Sequence, residues 1–197
     1  VTRVAATNQD PTARDDVGYI NEGAILNVTG DVDANDTTPD SSGEYTGDLI
    51  RTSSTSHYDN DPDGDNLTVT SFRTGNSEGN GTAGSVGGTY LPGQYGKLKL
   101  YSAGGWQYDA NNAESLDANE VVSDYFNYTI SDGNGGEDTA VIEVKVRGQN
   151  DAPVGAADAG AVDEDKQLTV SAGSGVLAND TDADDGASLV AVSYTHL

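Results

Sequence analysis

The sequence lacks cysteine and methionine altogether, and it contains no long apolar run. Without cysteine, the chain forms neither disulfides nor thiolate metal sites. A membrane-spanning helix needs about 18 or more consecutive apolar residues, so the short runs seen here predict no membrane insertion. Stability must therefore come from core packing and from groups other than sulfur.

Basic residues are also scarce: nine Lys and Arg stand against 33 Asp and Glu, a formal net charge of -24. This charge disfavours nucleic acids and anionic membrane surfaces as partners, because both are bound through Lys and Arg. It also strains the compact state by self-repulsion. Most of the acidic residues are Asp, the shorter carboxylate that suits tight turns and oxygen-only metal loops. Divalent cations would offset the repulsion, although a simply soluble acidic surface explains the charge equally well.

An internal repeat organises the chain. Residues 8–28 match residues 150–170, and the aligned positions include Asn8 with Asn150, Pro11 with Pro153, Gly18 with Gly160 and Glu22 with Glu164. The match resumes between residues 64–71 and 186–193 at a smaller offset, so the first copy carries an insertion. We predict a linker from a preceding repeat over 1–7, a complete repeat over 8–149 with loop insertions at about 38–58 and 75–93, and the truncated start of a second repeat over 150–197. The first residues show no signal-peptide pattern, and we expect the chain to be a piece of a longer protein.

Short runs of alternating apolar residues predict an all-β fold with about seven strands, arranged as an antiparallel β-sandwich. The predicted strands are residues 24–28, 67–72, 97–101, 106–108, 125–131 and 139–147, with turns at 103–105 and 131–136 that form hairpins. Residues 112–121 are predicted to form a short helical turn. Trp106, the single tryptophan, is predicted to be a core residue rather than a sugar-stacking platform.

The run DNDPDGD at residues 59–65 is the strongest metal-binding signal. It places Asp59, Asp61, Asp63 and Asp65 at alternate positions of a turn, where their oxygens converge. Ca²⁺ takes about 6–8 oxygen ligands in flexible geometry, whereas Mg²⁺ keeps its waters and demands near-ideal octahedra. The run is not an EF-hand, because Thr70 stands where the final Glu belongs and a strand follows. The alternative is an acidic solvated turn, but Asp182, Asp184 and Asp185 at the matching place of the second copy favour calcium.

A second group of oxygen ligands is predicted where the two repeats join. Asn150 and Asp151 lie just before Pro153, which stiffens the linker, and Glu22 precedes a predicted strand. Asp132, in the turn at 131–136, is a further candidate. Ions bound at the joint would tie neighbouring repeats into a rod; the alternative is that these residues only form turns.

Two parts of the sequence resemble known repeats. Residues 93–109 (GQYGKLKLYSAGGWQYD) and 125–153 (YFNYTISDGNGGEDTAVIEVKVRGQNDAP) resemble the VCBS-type repeat of bacterial RTX-type adhesins. Residues 163–186 (DEDKQLTVSAGSGVLANDTDADDG) resemble the bacterial cadherin-like and Ig-like repeats of the same large proteins. The resemblance implies a calcium-stiffened Ig/cadherin-like β-sandwich that is secreted to the bacterial cell surface by the type I route and acts in adhesion or biofilm formation. The ligands that it implies are Glu22, Asp61, Asp63, Asp65, Asp132, Asn150 and Asp151.

The leading hypothesis is therefore a calcium-binding, monomeric structural extender whose partners are neighbouring repeats of the same chain. The alternative is a lectin-like module that binds carbohydrate or another cell-surface ligand through the loops at 38–58 and 75–93. An enzyme is not predicted, because neither histidine, His57 or His196, has an evident Ser or Thr partner, and exposed Asp-rich turns do not raise carboxyl pKa values as acid catalysis requires. Gly79, Gly81 and Gly84 fit a dinucleotide-binding spacing, but no helix follows them to receive a phosphate.

Overall fold

The computed structural model describes residues 7–28, 49–50, 59–184 and 186–192. Within these ranges it contains eight strands: β1 (Asp16–Asn21), β2 (Ile25–Val28), β3 (Thr68–Thr74), β4 (Leu91–Pro92), β5 (Lys97–Leu100), β6 (Trp106–Asp109), β7 (Val121–Ser131) and β8 (Glu137–Arg147). A single 3-10 turn covers Ala172–Ser174. The all-β prediction is confirmed, and no helix in the described part of the chain is long and apolar enough to cross a membrane. The predicted insertion at 38–58, apart from residues 49–50, lies outside the described residues, as do Asp185 and most of the predicted linker at 1–7.

The strands form two four-stranded sheets that enclose one core as a β-sandwich. The order is β1-β8-β7-β3 in the first sheet and β2-β6-β5-β4 in the second. Both predicted hairpins are present. β5 and β6 pair antiparallel around the turn at 103–105, and β7 and β8 pair along their whole length around the turn at 131–136.

One strand pair departs from the predicted antiparallel arrangement. β1 runs parallel to β8, from Asp16 beside Ile142 to Asn21 beside Arg147. Parallel neighbours need a long crossover connection, and here strands β2 to β7 supply it. The sequence pattern does not predict β1, because Gly18 interrupts its apolar alternation. Residues 112–121 are predicted as a helical turn, but no helix forms there: turns lead up to Val121, which begins β7.

The core is built from the inward-facing side of each strand. Period-two alternation places every second side chain between the sheets, and the residues buried there include Leu98, Leu100, Trp106, Tyr108, Phe126, Tyr128, Ile130, Ile142, Val144 and Val146. Trp106 is fully buried, which confirms its prediction as a core residue. Each large side chain removed from water stabilises the fold by about 1.5–3 kcal/mol.

The second copy of the repeat behaves differently from the first. The described residues from 150 to 192 contain no β-strand, and their apolar side chains are exposed, for example Val162 at 52% and Val170 at 51%. In the first copy, β1 pairs with β8 and β2 pairs with β6, both of which come much later in the chain. Among the residues described after 150, no strand corresponds to β6 or β8. Since strand backbone groups must find partners, the sequence pattern alone does not produce strands here.

The close contact between Gly18 and the tryptophan ring gives a test of the packing. A Cβ atom at Gly18 would lie 2.5 Å from Cη2 of Trp106, so Gly18→Ala forces the ring or β1 to move. We expect the free energy of unfolding to fall by about 1–3 kcal/mol, measured by urea titration with the fluorescence of the single tryptophan. Gly173→Ala is the matched control, because nothing lies within 4 Å of its Cβ position. Equal stability of the two variants would contradict this packing.

Candidate metal centre

Asp61, Asp63 and Asp65 come together in the loop before β3. Each offers a carboxylate oxygen, and these oxygens all lie within 4.8 Å of one another. In the part of the chain that the structure describes, no other group of three or more His, Cys, Asp and Glu side chains meets this spacing. Oxygens that share one Ca²⁺ at about 2.3–2.6 Å can be at most about 5 Å apart, so the spacing suits a common cation.

Hydrogen bonds hold the loop in this shape. Oδ1 of Asp61 accepts from the backbone N–H groups of Asp63 at 2.8 Å and Asp65 at 3.1 Å, which folds the loop around the Asp61 carboxylate. Asp63 accepts from the backbone N and the side-chain Nε2 of Gln9, at 2.7 and 3.0 Å. Oδ2 of Asp65 accepts from Nδ2 of Asn134 at 2.7 Å. The three carboxylates are therefore fixed by the segment before β1 and by the β7–β8 turn.

The other oxygen of Asp61 has no partner. Asp61 is 7% exposed, and its Oδ2 is buried without a hydrogen bond. A buried carboxylate oxygen that lacks a donor is costly, because it has lost water and gained nothing. A hard divalent cation held by Asp61, Asp63 and Asp65 would satisfy it, and the all-oxygen donor set fits Ca²⁺.

Asp59, which the sequence places in the same ligand run, lies outside this cluster. Its Oδ1 accepts from the backbone N–H of Arg14 at 2.7 Å, and its Oδ2 accepts from the Tyr128 hydroxyl at 3.0 Å. The same hydroxyl lies 2.9 Å from Oδ2 of Asp16. Burial raises the pKa of Asp59 to about 7, and the charge of Asp138 adds to the rise. Asp59 thus ties the start of the loop to the sandwich instead of facing the other three carboxylates.

Asp132 also lies outside the cluster but helps to position it. Its Oδ1 accepts from the backbone N–H groups of Asn134 and Gly136, at 2.7 and 3.0 Å, and its Oδ2 accepts from Nδ2 of Asn8 at 2.6 Å. These hydrogen bonds, that from Asn8 foremost, lower the pKa of Asp132. Asp132 shapes the β7–β8 turn, from which Asn134 reaches Asp65.

The second copy rebuilds the same loop, although it has no strands. In the first copy, Thr12 and Asn60 exchange backbone hydrogen bonds, and in the second copy Val154 and Thr181 do the same. Three backbone-to-carboxylate hydrogen bonds of the first copy also recur in the second. The bond from Asp63 N to Asp61 Oδ1 corresponds to that from Asp184 N to Asp182 Oδ1, and the bond from Gln9 N to Asp63 Oδ2 corresponds to that from Asp151 N to Asp184 Oδ2. The bond from Arg14 N to Asp59 Oδ1 corresponds to that from Ala156 N to Asp180 Oδ1. The loop and the segment that leads into the repeat therefore make the same contacts in both copies.

At the joint, the rebuilt loop faces a carboxylate from the sandwich. Glu22 follows β1 and is 6% exposed, and one oxygen on each of Glu22, Asp151 and Asp184 is buried without a hydrogen-bond partner. Burial raises the pKa of Glu22, and the negative charges of Asp151, Glu114 and Asp184 add to the rise. The charge of Asp151 thus acts on Glu22, and a shared role of the two as cation ligands stays a prediction. Nδ2 of Asn150 donates to the backbone oxygen of Asp151, and a role of this residue as a ligand stays a prediction.

A two-sheet sandwich with an acidic loop at its N-terminal end defines a modular all-β repeat. The profile of the bacterial cadherin-like domain matches residues 42–148, more than half of the chain. The chain therefore belongs to the bacterial cadherin-like domain family, as its sequence resemblance implies.

Other comparisons add little. No curated protein matches the chain. Among solved structures, the chain is similar to a nucleoside hydrolase-related hypothetical protein from Saccharophagus degradans that is associated with carbohydrate metabolism, at 16% sequence identity and a TM-score of 0.33. The match covers 73% of this chain and spans 26% of the other. At this level, the likeness carries no conclusion about function.

The raised pKa of Asp59 predicts how stability changes with pH in the absence of divalent cations. Because the folded-state pKa of about 7 lies above the ordinary value of 3.8, this carboxyl stabilises the fold fully below about pH 4 and loses that contribution as pH rises through 7. We expect Asp59→Asn to reduce the loss of unfolding free energy between pH 4 and 7 by on the order of 2–4 kcal/mol. Urea titrations across this range measure it, with the exposed Asp158→Asn as control; equal slopes in all three proteins would refute the assignment.

Proposed function

We propose that this chain is a calcium-binding structural extender module of a secreted bacterial surface adhesin. The observation that carries the proposal is the trio Asp61, Asp63 and Asp65, one oxygen of each lying within 4.8 Å of the others, in a loop where Oδ2 of Asp61 is buried without a donor. Membership of the bacterial cadherin-like family supports a structural or adhesive role. A catalytic role is not proposed.

The charge of the chain supports calcium as the partner of this loop. Three carboxylates at short range repel one another, and the repulsion adds to that of a chain with a formal net charge of -24. Donors from Gln9 and Asn134 relieve part of this repulsion, but both are neutral. A divalent cation supplies the missing positive charge at the point where the oxygens converge.

The joint extends the same chemistry to neighbouring repeats, which we propose as the partners of this module. Glu22 of the complete repeat and Asp151 and Asp184 of the next copy each have an unpartnered buried oxygen. The oxygens of these three residues do not meet the 4.8 Å spacing of the first cluster, so a cation bound there would have to draw them together. It would then join two repeats through ligands from both, and so resist bending of the linker at Pro153. The loop that contains Asp61 would be completed in the same way, by a Glu from a preceding repeat that takes the place of Glu22. Residues 1–7 are the predicted linker to that repeat.

The repeat boundaries complete the proposal. Residues 8–149 form the working module, with a long insertion at 38–58, and residues 150–197 begin the next repeat. In this view the module is a rigid spacer on the bacterial cell surface that holds adhesive domains away from the cell, and it works as a monomer within its own chain. Its adhesion and biofilm roles follow from this placement.

Calcium should raise the melting temperature of the protein substantially. Binding to the folded state alone adds about 2.7 kcal/mol per site at a hundredfold excess over Kd, which for a chain of this size corresponds to a rise of about 5–10 °C. Thermal unfolding in EDTA, in millimolar Ca²⁺ and in millimolar Mg²⁺ at matched ionic strength measures it. Magnesium should have the smaller effect, and identical melts in EDTA and Ca²⁺ would overturn the proposal.

Asp61→Asn separates specific binding from general charge screening in the same assay. The substitution keeps an oxygen that can accept from Asp63 and Asp65 but removes the negative charge beside the unpartnered position. We expect most of the calcium-dependent rise contributed by this loop to disappear. Asp158→Asn removes an equal charge from an exposed position, and it should keep the full rise.

Hydrogen exchange tests the joint independently of melting. The backbone N–H groups of Asp151, Val154, Thr181 and Asp184 hold the rebuilt loop together. We expect Ca²⁺ to slow their exchange about tenfold or more, because bound cation suppresses local opening. Glu22→Gln should abolish this slowing, whereas the exposed Glu78→Gln should not. Equal protection in the Glu22 variant and the unmodified protein would remove Glu22 from the site.

A further inference from the structure

A cleft lies beside the loop at 75–93, away from the acidic loops. Its volume is about 650 Å³, within the range of about 300–1,000 Å³ that is typical of small-molecule sites. One wall comes from the loop that follows β3, and the opposite wall comes from residues 91–94 of the second sheet. Ser123, Asp124 and Tyr125 of β7 lie between the two walls.

Asn127 of β7 holds the first wall in place. This side chain is 2% exposed, and its Nδ2 donates to the backbone oxygens of Gly75 at 3.0 Å and Asn80 at 3.1 Å. Its Oδ1 accepts from the backbone N–H of Gly79 at 3.0 Å. A buried amide is tolerated because its hydrogen-bonding groups are used in this way. Asn127 thereby fixes a loop that has no strand or helix of its own.

Asp124, three positions earlier on β7, holds the second wall. It is 4% exposed, and its two oxygens accept from the backbone N–H groups of Gln94 at 2.8 Å and Tyr95 at 3.0 Å. The Tyr108 hydroxyl also donates to it. A Cβ atom at Gly93 would lie 2.4 Å from Oδ2 of Asp124, so the wall approaches β7 as closely as its glycine permits. Both walls are thus preorganised by buried polar side chains of one strand.

The surfaces that remain open in the cleft are neutral. Tyr125 is 38% exposed, and its hydroxyl is held by Oε1 of Glu143 at 3.0 Å, which fixes the ring. Asn76 and Gln94 are the amide-bearing residues of the lining, and Nε2 of Gln94 is held by the Tyr95 hydroxyl at 3.0 Å, whereas Lys, Arg and His are absent from the lining. The one lining carboxylate, Asp124, already accepts three hydrogen bonds. A fixed aromatic ring beside planar amides suits a ligand with apolar faces and hydroxyl edges.

We propose that this cleft binds a neutral oligosaccharide. A sugar unit presents C–H groups to an aromatic ring and hydroxyl groups to amides, and it carries no charge that a chain of net charge -24 would repel. An acidic saccharide would meet that repulsion without any basic residue in the lining to offset it. Because the walls are preorganised, little conformational entropy is lost on binding. The proposal goes beyond calcium binding and does not depend on it.

The test is a binding screen on the full 197-residue chain. Cello-, manno-, galacto- and chito-oligosaccharides are titrated beside oligomers of alginate and polygalacturonate as acidic comparators, with affinity measured by calorimetry. We expect at least one neutral oligosaccharide to bind in the micromolar to millimolar range, and the acidic oligomers to bind more weakly. Failure of every neutral oligosaccharide at millimolar concentration, or preference for an acidic one, would overturn the proposal.

Variants place the binding in the cleft. Tyr125→Ala and, separately, Gln94→Ala should each weaken the best ligand about tenfold or more, because each removes part of a preorganised contact surface. Tyr101→Ala deletes a tyrosine outside the cleft and should bind like the unmodified protein. Asp61→Asn should also retain binding below its melting temperature, which separates this site from the acidic loop. Gln94→Ala tests the site even if the Tyr125 variant is unstable, and full affinity in the Gln94 variant would reject the site.

Discussion

The acidic loop before β3 depends on Asp61, whose two carboxylate oxygens have different surroundings. Oδ1 of Asp61 folds its own loop by accepting two backbone N–H groups, while Oδ2 is buried with no donor. The first role makes the loop a locally stable turn, and the second leaves it electrostatically incomplete. The loop is therefore held by its own backbone and by distant donors such as Gln9 and Asn134, while the buried oxygen of Asp61 lacks a positive partner that a cation would supply.

The sequence predicts the core and the acidic loop well, because both depend on local patterns. Alternation identifies Leu98, Leu100 and Trp106 as inward-facing, and the spacing of Asp61, Asp63 and Asp65 predicts their convergence. Asp59 continues the same alternation, but its carboxylate lies against Tyr128, a residue of β7 that no local pattern connects with it. The parallel pairing of β1 with β8 is hidden for the same reason, since the partner is far away in the sequence.

Two polar residues of β7 are buried although their residue types are typical of the surface. Asp124 and Asn127 are buried because loops fold over them and take all their hydrogen-bonding groups. In the sequence, Asn127 takes a solvent-facing position of the alternating strand, and Asp124 takes an inward-facing position at which a carboxylate is unexpected. The signal that could reveal them is a long Gly-rich loop with no strand or helix of its own, because the backbone groups left without partners in such a loop need polar side chains to pair with.

The parallel arrangement of the first and last strands has a mechanical consequence. β1 and β8 run side by side in the same direction, so the chain enters the sandwich at one end and leaves it at the other. In the proposed tandem array, tension would pull β1 backwards and β8 forwards. It therefore shears all the hydrogen bonds between Asp16 and Asn21 and their partners together, instead of peeling them apart one by one. A module with parallel first and last strands therefore resists stretching when it is pulled by its two chain ends.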